Sequence, residues 1–371
     1  MFDYNLSYEI LSQRLLFSFH WGLFLVIIIT CLYVISPSEK NKISGANHTA
    51  SLILSVGLTA LLSFLMAIYP IQWGTFADRE GYLYVFNHLT EVSVTDPIWR
   101  KLNELVHSVS NNQFFFFSVV AVLYVGLRYW ACCNFNKKYS FLLFVMVISS
   151  FLFWSYGVNT IRSGVASSFL LLSFSVYNKG KKGKMIAFIL AFASIGIHKS
   201  MALPALLFAI GVVFTKPKFY LFIWCMSFVL SAVAGGYFES ILGNLIEQNA
   251  GIQAGGYILE KNTVEYDRGF RLDFILYSLL PILIGAYYII KRAYYDKLYL
   301  SIYCTYLMAN AFFVLVVRAN FVDRFGYLSW FMMPIVLLYP LLKVRLFEKQ
   351  NNMIALMLFF NVVFTIIMFL K

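Results

Sequence analysis

The chain has 371 residues, of which 61% are hydrophobic, 19% aromatic and only 12% charged. Its apolar residues fall in blocks of about 18 to 22, the length that a helix needs to cross ~30 Å of hydrocarbon. The formal charge of +12 would suit a nucleic-acid-binding protein, but the lysines lie in short connections between apolar blocks rather than on a soluble basic face. The composition therefore predicts an all-α, polytopic integral membrane protein that binds no nucleic acid.

About twelve membrane-spanning helices (11–13) follow from the positions of these blocks. The expected spans are 15–35, 50–72, 113–132, 139–157, 159–177, 184–198, 200–215, 218–236, 272–290, 298–317, 325–342 and 352–370. The segment 184–215 fits two descriptions, either two short helices broken at "HKS" or one span with a re-entrant piece. Two connections are long, 73–112 and 237–271, and both are predicted as periplasmic loops of a single transmembrane domain, 1–371.

Basic residues predict the orientation, because short cytoplasmic loops accumulate lysine and arginine. When the loops are alternated, 17 of the 29 basic residues fall on one side, which is predicted to be cytoplasmic, and 12 share the other side with both long loops. Fourteen of the 18 lysines lie on the cytoplasmic side, whereas eight of the 11 arginines lie on the outer side. Arginine grips phosphate or carboxylate with a planar fork of donors, so this sorting indicates an anionic ligand at the outer membrane interface.

Four stretches near the predicted outer ends of spans carry the candidate arginines. In "GVNTIRSGVASSF", Arg162 falls in the first turn of a span. An arginine there opposes the helix macrodipole, but it is well placed for an anion that also gains from free backbone N–H groups. "EYDRGFRLDFILY" places Arg268 and Arg271 at i and i+3, on one helix face if the helix begins this early. The remaining candidates are Arg79 in "ADREGYLYVF" and Arg318, Arg324 and Tyr327 in "VVRANFVDRFGYLSW".

Two structural alternatives stay open for these stretches. Some arginines could pair with carboxylates and only stabilise the fold. The acidic residues that would serve are Asp78, Glu80, Asp267, Asp273 and Asp323. The small residues that follow Arg162, in the segment 163–168, leave a lean helix surface that either another helix or a ligand can approach closely.

A histidine stands at a break between two apolar segments. This residue, His198 in "IGIHKSMALP", is followed by Lys199 and Ser200, with Pro204 soon after. Near the membrane interface it could accept a proton or donate a hydrogen bond to an anion. It could equally be a buried polar residue that satisfies an exposed helix end, and the residues alone do not decide between these roles.

The order and spacing of these motifs resemble a known family. "NTIRSGVASSFLLLSF" and "IGIHKSMALPALL", about 35 residues apart with a lysine-rich turn between them, look like the central signature of the EpsG-like branch of O-antigen and exopolysaccharide polymerases, the Wzy family. "ADREGYLYVF", "GFRLDFILYSLLPILIG" and "DRFGYLSWFMMPIVLLYP" are also similar to segments of that family. The resemblance covers roughly residues 70 to 340.

The resemblance implies a membrane glycosyltransferase at the outer face of the bacterial inner membrane. Such an enzyme moves a growing glycan from one undecaprenyl pyrophosphate carrier onto the non-reducing end of a new lipid-linked repeat unit. Its partners would be these lipid-linked donor and acceptor oligosaccharides, the bilayer and, as a further candidate, a chain-length-regulating membrane protein. The pyrophosphate would be bound by the arginines and Tyr327, and the proton acceptor would be His198 or, as alternatives, Asp78, Asp273 or Asp323. No carboxylate cluster of the DxD kind is present, so neither a metal nor a cofactor is expected.

Three other functions would share part of this pattern. A flippase for lipid-linked oligosaccharides would carry its charges along a central cavity rather than at one face. An O-antigen ligase would use the same pyrophosphate chemistry with a different acceptor. A plain transporter would show inverted repeats or broken helices at mid-membrane. The one-sided distribution of the arginines favours the polymerase.

Overall fold

The computed structural model describes residues 4–35, 48–71, 77–92, 94–250, 270–319 and 321–370. This part of the chain is all-helical, with 83% helix and no strand. Its helices are, in chain order, α1 (Tyr4–Ile35), α2 (His48–Ala67), α3 (Ala77–Asn87), α4 (Pro97–Val109), α5 (Gln113–Phe135), α6 (Ser140–Ile148), α7 (Phe153–Val158), α8 (Ile161–Val176), α9 (Gly180–Ile197), α10 (Ala202–Val213), α11 (Pro217–Ala250), α12 (Leu272–Ile290), α13 (Lys297–Leu315), α14 (Val322–Trp330), α15 (Met333–Lys343) and α16 (Gln350–Leu370), with a 3₁₀ turn at Lys199–Met201.

The chain divides into two compact units. The first comprises residues 1–201 and 341–371, and the second comprises residues 202–340. In the first unit, α8 packs between α5 and α9, α2 packs on α5, and α1 packs on α16. In the second unit, α13 is the central helix and contacts α10, α11, α12 and α14.

Seven stretches of helix in the described residues are long and apolar enough to cross a membrane. They are Gln13–Ile35, Gln113–Phe135, Pro217–Tyr237, Leu272–Ile290, Lys297–Leu315, Val322–Lys343 and Gln350–Leu370. Three shorter apolar helical stretches, Ser51–Ala67, Ile161–Val176 and Lys199–Val213, coincide with further expected spans. The multi-pass helical class is thus confirmed, whereas the number twelve stays a prediction.

Two expected spans are interrupted. The span 139–157 is two helices, because α6 ends at Ile148 and α7 begins at Phe153 after Leu152, which adopts a left-handed conformation with φ 68°. The span 325–342 is α14 followed by α15, with a short break between them. At "HKS", α9 ends, His198 is extended and the 3₁₀ turn follows, which matches the description of 184–215 as two short helices.

The connection 73–112 contains two helices, α3 and α4. In α4 the buried residues are Trp99, Asn103 and Val106, at the spacing of four and three residues that puts them on one helix face. That face packs on the rest of the first unit, including α9. The helix therefore fixes the position of the residue that precedes it, Asp96. In the other long connection, α11 continues to Ala250, and residues 251–269 lie outside the described part of the chain.

Candidate functional site

An ion pair joins the start of α4 to the start of α8. Asp96 Oδ2 lies 2.8 Å from Arg162 Nη1. The Asp96 side chain is only 3% exposed, whereas that of Arg162 is 29% exposed. A carboxylate removed from water in this way requires charged or N–H partners, because desolvation of an unpaired ion costs several kcal/mol. Arg162 thus has a fixed partner on its inner side and an exposed part that a ligand can reach.

His198 lies beside the same carboxylate, that of Asp96. Its Nδ1 is 4.0 Å from Asp96 Oδ2, which is ion-pair range rather than a hydrogen bond. The backbone N–H of Lys199 donates to Asp96 Oδ1 at 3.2 Å. Asp96 therefore connects the break after α9 to the first turn of α8. The family resemblance depended on the motifs of Arg162 and His198. Both side chains contact Asp96, which belongs to neither motif.

The Arg162 guanidinium retains donor capacity beside this pair. Its Nε is buried and has no hydrogen-bond partner among the described residues. Thr160, the residue before α8, makes no side-chain capping bond. A buried donor without an acceptor is costly, so a rearrangement that exposes Nε to an oxygen of a ligand or of an ordered water would be stabilising. The ring of Tyr82 from α3 lies 6.0 Å from the guanidinium carbon, so four segments of the first unit converge on Arg162.

The small residues of α8 serve helix packing. A Cβ at Gly164 would collide with the carbonyl of Tyr156 and approach the ring of Tyr124. Ser168 Oγ donates to the carbonyl of Tyr124 at 3.0 Å, and Ser167 Oγ accepts from Arg128 at 2.8 Å. The lean surface predicted from the sequence therefore brings α5 and α7 close to α8, and the helix-packing alternative accounts for it.

Arg79 has a structural environment. It is 1% exposed, and it donates to the carbonyls of Met66, Ala67 and Val158 at 3.0–3.2 Å. These carbonyls are at the C-terminal ends of α2 and α7, where backbone acceptors lack helical partners. Burial lowers the pKa of Arg79 from its ordinary value, while the carbonyls favour its charged form. This geometry favours capping of two helices over the predicted contact with pyrophosphate. Asp78, beside it, is half-buried in the first turn of α3.

In the second unit, Arg271 and Asp273 form a closed pair, in which one guanidinium bonds both carboxylate oxygens. Arg271 Nε and Nη2 donate to the two carboxylate oxygens of Asp273 at 3.0 and 2.9 Å. Both side chains are about one quarter exposed, at 24% and 23%. The guanidinium carbon of Arg271 lies 3.9 Å from the centre of the Phe274 ring. The carboxylate pairing that was an open alternative is therefore present here.

Asp323, Arg324 and Tyr327 belong to α14. Asp323 interacts electrostatically with Arg324 and Arg271, so the beginnings of α12 and α14 lie together. Arg324 stacks near the ring of Phe321, at 4.8 Å. Tyr327 is buried. The second unit thus contains a charged cluster of its own, with two arginines and two carboxylates.

Arg318 contacts α11 at a bend in that helix. Its Nη1 donates to the carbonyl of Ser231 at 2.9 Å, one turn before the non-helical residue Ala234. Its guanidinium also lies 4.9 Å from the ring of Phe270.

The predicted ligand residue Arg268 lies outside the described residues. Within the described ranges no group of three or more His, Cys, Asp and Glu residues is arranged to hold a metal ion.

Asp96 was not among the residues selected from the sequence. The signal that could have identified it is "TDPIWRKL", in which an aspartate precedes a proline at the start of an amphipathic segment. Asp before Pro at the first helical position is a typical helix start. The carboxylate does not cap its own helix, however, because no side-chain capping bond is made. Its oxygens are used by Arg162 and Lys199 instead.

A sequence model of the EpsG family matches residues 56–371, which is most of the chain. The protein belongs to this family of exopolysaccharide and O-antigen polymerase-like membrane proteins. It is therefore a polysaccharide polymerase-like, multi-pass membrane protein of a family associated with glycosyltransferase-like polymerases. No curated protein and no solved structure matches the chain.

Proposed function

We propose that the protein is a polysaccharide polymerase that transfers a growing glycan from undecaprenyl pyrophosphate to the non-reducing end of a new lipid-linked repeat unit. Membership of the EpsG family supports the reaction class. The single observation that carries the choice of site is the buried Asp96 carboxylate shared by Arg162 and His198. It supports this choice because the proposed phosphate-binding group and the proposed proton acceptor lie beside the same carboxylate.

The proposed reaction exchanges two bonds at the anomeric carbon of the donor. The bond from this carbon to the pyrophosphate oxygen breaks, and a bond to the acceptor hydroxyl oxygen forms. The departing pyrophosphate keeps the bonding electrons, so a fixed cation beside it lowers the barrier. Arg162 supplies that cation, and its planar fork suits phosphate oxygens better than a lysine would.

The acceptor hydroxyl loses its proton in the same reaction. His198 is the proposed acceptor of this proton. Asp96, at 4.0 Å from Nδ1, would stabilise the imidazolium that results, because an opposite charge nearby favours the charged form. The same carboxylate keeps Arg162 in place, so one buried residue positions both reacting groups. Asp78 and Asp323 remain the alternative acceptors.

The arginines of the second unit are proposed as an additional pyrophosphate-binding set. They are Arg271, Arg318 and Arg324, with Arg268 and Tyr327. Arg271 directs two of its five N–H donors at Asp273, so a phosphate would share this arginine with the carboxylate. The proposed location of the reaction is the periplasmic face of the inner membrane, and a chain-length-regulating membrane protein is a proposed partner.

Surface polysaccharide from a strain that lacks the gene tests the reaction class. We expect lipopolysaccharide whose lipid core carries a single repeat unit. Repeat units would still be moved across the membrane and ligated to the core, but they would not be polymerised. Absence of any repeat unit on the lipid core would instead favour a ligase or a flippase. Accumulation of lipid-linked repeat units on the cytoplasmic face would separate a flippase from a ligase.

A charge-conserving pair of variants tests the site. Arg162→Lys keeps the positive charge and loses the bidentate fork, so we expect chain formation from purified lipid-linked repeat unit in liposomes to fall by roughly 10-fold or more. The matched control is Arg100→Lys on α4, whose arginine pairs with Glu104 on an exposed surface. Equal activity of both variants would remove Arg162 from the site.

Single cysteines test the orientation. The native chain has five cysteines, of which Cys225 is exposed, so all five are first replaced with serine. A cysteine at Asn111 should then react with an impermeant thiol reagent in intact spheroplasts, and one at Asn178 should not. Both positions are exposed, so a difference reports sidedness rather than burial. Labelling at Asn178 alone would place the proposed site on the cytoplasmic face.

A further inference from the structure

The first unit contains a second charged site, far from Arg162 along the same helices. Helix α8 begins beside Arg162 and ends at Val176, and α5 begins after α4 and ends at Phe135. A 16-residue helix such as α8 is roughly 24 Å long. At the far ends of α5 and α8 is a cavity of about 550 Å³, the size of a small-molecule site. It is lined by Ser51, Leu52, Tyr129, Trp130, Cys133, Asn134, Phe135, Asn136, Lys137, Lys138, Ser140, Lys179 and Lys343.

The charge of this cavity has one sign. Four of its lining residues are lysines, Lys137, Lys138, Lys179 and Lys343, and no aspartate or glutamate is among the lining residues. All four lysines are exposed, so a ligand in the cavity can reach them. They come from three separate places in the chain, namely the connection after α5, the connection after α8 and the last residue of α15. The fold therefore concentrates positive charge that is dispersed in the sequence.

Polar contacts fix the walls around these lysines. Asn136 Nδ2 donates to the carbonyl of Leu342 at 2.8 Å, which joins the end of α5 to the end of α15. Lys179 Nζ donates to Asn134 Oδ1, which joins the α8–α9 turn to α5. These bonds hold the lysines around a common space. The site is thus built by tertiary structure rather than by one flexible basic segment.

The rim of the cavity is apolar on the side of α2 and α5. Leu52 and Trp130 line the cavity and are exposed on the protein surface. Helix α5 is apolar enough to span a membrane, so side chains exposed along it face lipid. Tryptophan at the end of such a helix is typical of the headgroup level. A ligand here would meet lysines at its head and hydrocarbon-facing side chains along its tail.

We propose that this cavity binds the phosphate headgroup of an anionic phospholipid, with the acyl chains lying along Leu52 and Trp130. Basic pockets between spanning helices suit such headgroups, because several ammonium groups neutralise one phosphate while the tails stay in the bilayer. The site is separate from the proposed glycosyl transfer and does not depend on it. Its ligand is a lipid of the surrounding membrane rather than the lipid-linked substrate.

The test compares two variants of equal charge in the full-length protein. The cavity variant replaces Lys137, Lys138 and Lys343 with glutamine. The control replaces three other exposed lysines with glutamine, Lys181, Lys182 and Lys349, which do not line the cavity. The probe is spin-labelled phosphatidylglycerol in phosphatidylcholine vesicles, and the motionally restricted fraction gives its association constant. We expect the cavity variant to lose roughly 10-fold or more in that constant and the control less than about 3-fold.

Two results would overturn this proposal. Equal losses in both triple variants would mean that generic surface charge attracts the lipid. Displacement of the lipid by millimolar inorganic phosphate, at an ionic strength matched with chloride, would identify a free anion as the ligand. Spin-labelled phosphatidylcholine serves as the baseline in each arm. The parent protein should restrict phosphatidylglycerol more than phosphatidylcholine, and no difference between them would also refute the site.

Discussion

The two units each contain an arginine–aspartate pair, and the pairs differ in what they leave available. Arg271 and Asp273 are two residues apart in the chain and are joined by two parallel bonds. Arg162 and Asp96 are distant in the chain and share a single contact at 2.8 Å, with the carboxylate buried and the arginine side chain partly exposed. The Arg271–Asp273 pair is closed. In the Arg162–Asp96 pair, by contrast, the donor Arg162 Nε has no partner among the described residues.

This difference separates a local ion pair from a positioned one. An exposed or half-exposed pair contributes little, with a typical value of about 0–1 kcal/mol. A pair with a buried carboxylate is expensive to break, because the remaining charge would be left without compensation. The cost of burying Asp96 is more easily understood if the carboxylate positions other groups, and it lies against both Arg162 and His198.

The largest expected effect is therefore at Asp96. Asp96→Asn keeps the size of the side chain and removes its charge, so Arg162 and His198 both lose the group that positions them. We expect chain formation to fall by roughly 10²-fold or more, while Asp273→Asn, the matched change in the closed pair, costs less than about 10-fold. The measurement is polymerisation of purified lipid-linked repeat unit in liposomes.

A double variant tells whether Asp96 acts through Arg162. If it does, Asp96→Asn combined with Arg162→Gln should be about as defective as the worse single variant, because the coupled residues are not additive. Fully additive losses would contradict shared positioning. A larger defect in Asp273→Asn than in Asp96→Asn would reverse the comparison and move the proposed site to the second unit.

The next effect separates a chemical role of His198 from a packing role. His198→Gln keeps hydrogen bonding but cannot take up a proton near neutral pH, so a general base predicts that Gln and Ala are both defective by roughly 10²-fold. A structural histidine predicts that Gln resembles the parent and that Ala is defective. Binding of the lipid pyrophosphate donor, measured separately, should be nearly unchanged in both. Normal polymerisation by the Gln variant would make Asp78 or Asp323 the better candidate.

The fold was predictable from the sequence wherever a long apolar run forms one uninterrupted helix. Helix α12 has the bounds expected from its hydropathy, 272–290. Helices α3 and α4 were not recognised within the connection 73–112, because they are short and rich in charged and polar residues. The amphipathic pattern of α4 was nevertheless in the sequence, since Trp99, Asn103 and Val106 recur at helical spacing.

The site was predictable only for residues in recognisable motifs. Arg162 and His198 carried a motif signal, and both lie beside the Asp96 carboxylate in the structure. Asp96 carried only the signal of a helix start, in "TDPIWRKL", because its role at the site comes from tertiary packing of α4 on α9. Arg79 shows the converse, since its motif indicated a ligand contact but its donors reach the carbonyls that two helices leave free. Local sequence identifies a charged group, whereas only the fold identifies its partner.

A smaller effect is expected from Arg271→Lys. A lysine can still pair with Asp273 through one bond, so the local structure at the start of α12 should survive with about one lost hydrogen bond, roughly 1 kcal/mol. Polymerisation should fall less than in Arg162→Lys under the same conditions. If Arg271→Lys is the more defective of the two, Arg271 binds substrate in spite of its closed pair, and the second unit contributes more to phosphate binding than this geometry indicates.

The smallest effect concerns stability and tests the environment of Arg318. A Cβ at Gly235 would collide with the Arg318 guanidinium, whereas a Cβ at the adjacent Gly236 meets no atom within 4 Å. Gly236→Ala should leave thermal unfolding in detergent unchanged or raise the stability by about 0.5–1 kcal/mol, because alanine favours helix. Gly235→Ala should lower it by roughly 1–2 kcal/mol, because Arg318 must move away and lose its bond to the Ser231 carbonyl. The order of the two alanine variants is the decisive readout, since both lie in α11 and share the same propensity gain. Equal stability of the two would mean that Arg318 is not held against this bend, and its guanidinium would then be available for the phosphate contact predicted from the sequence.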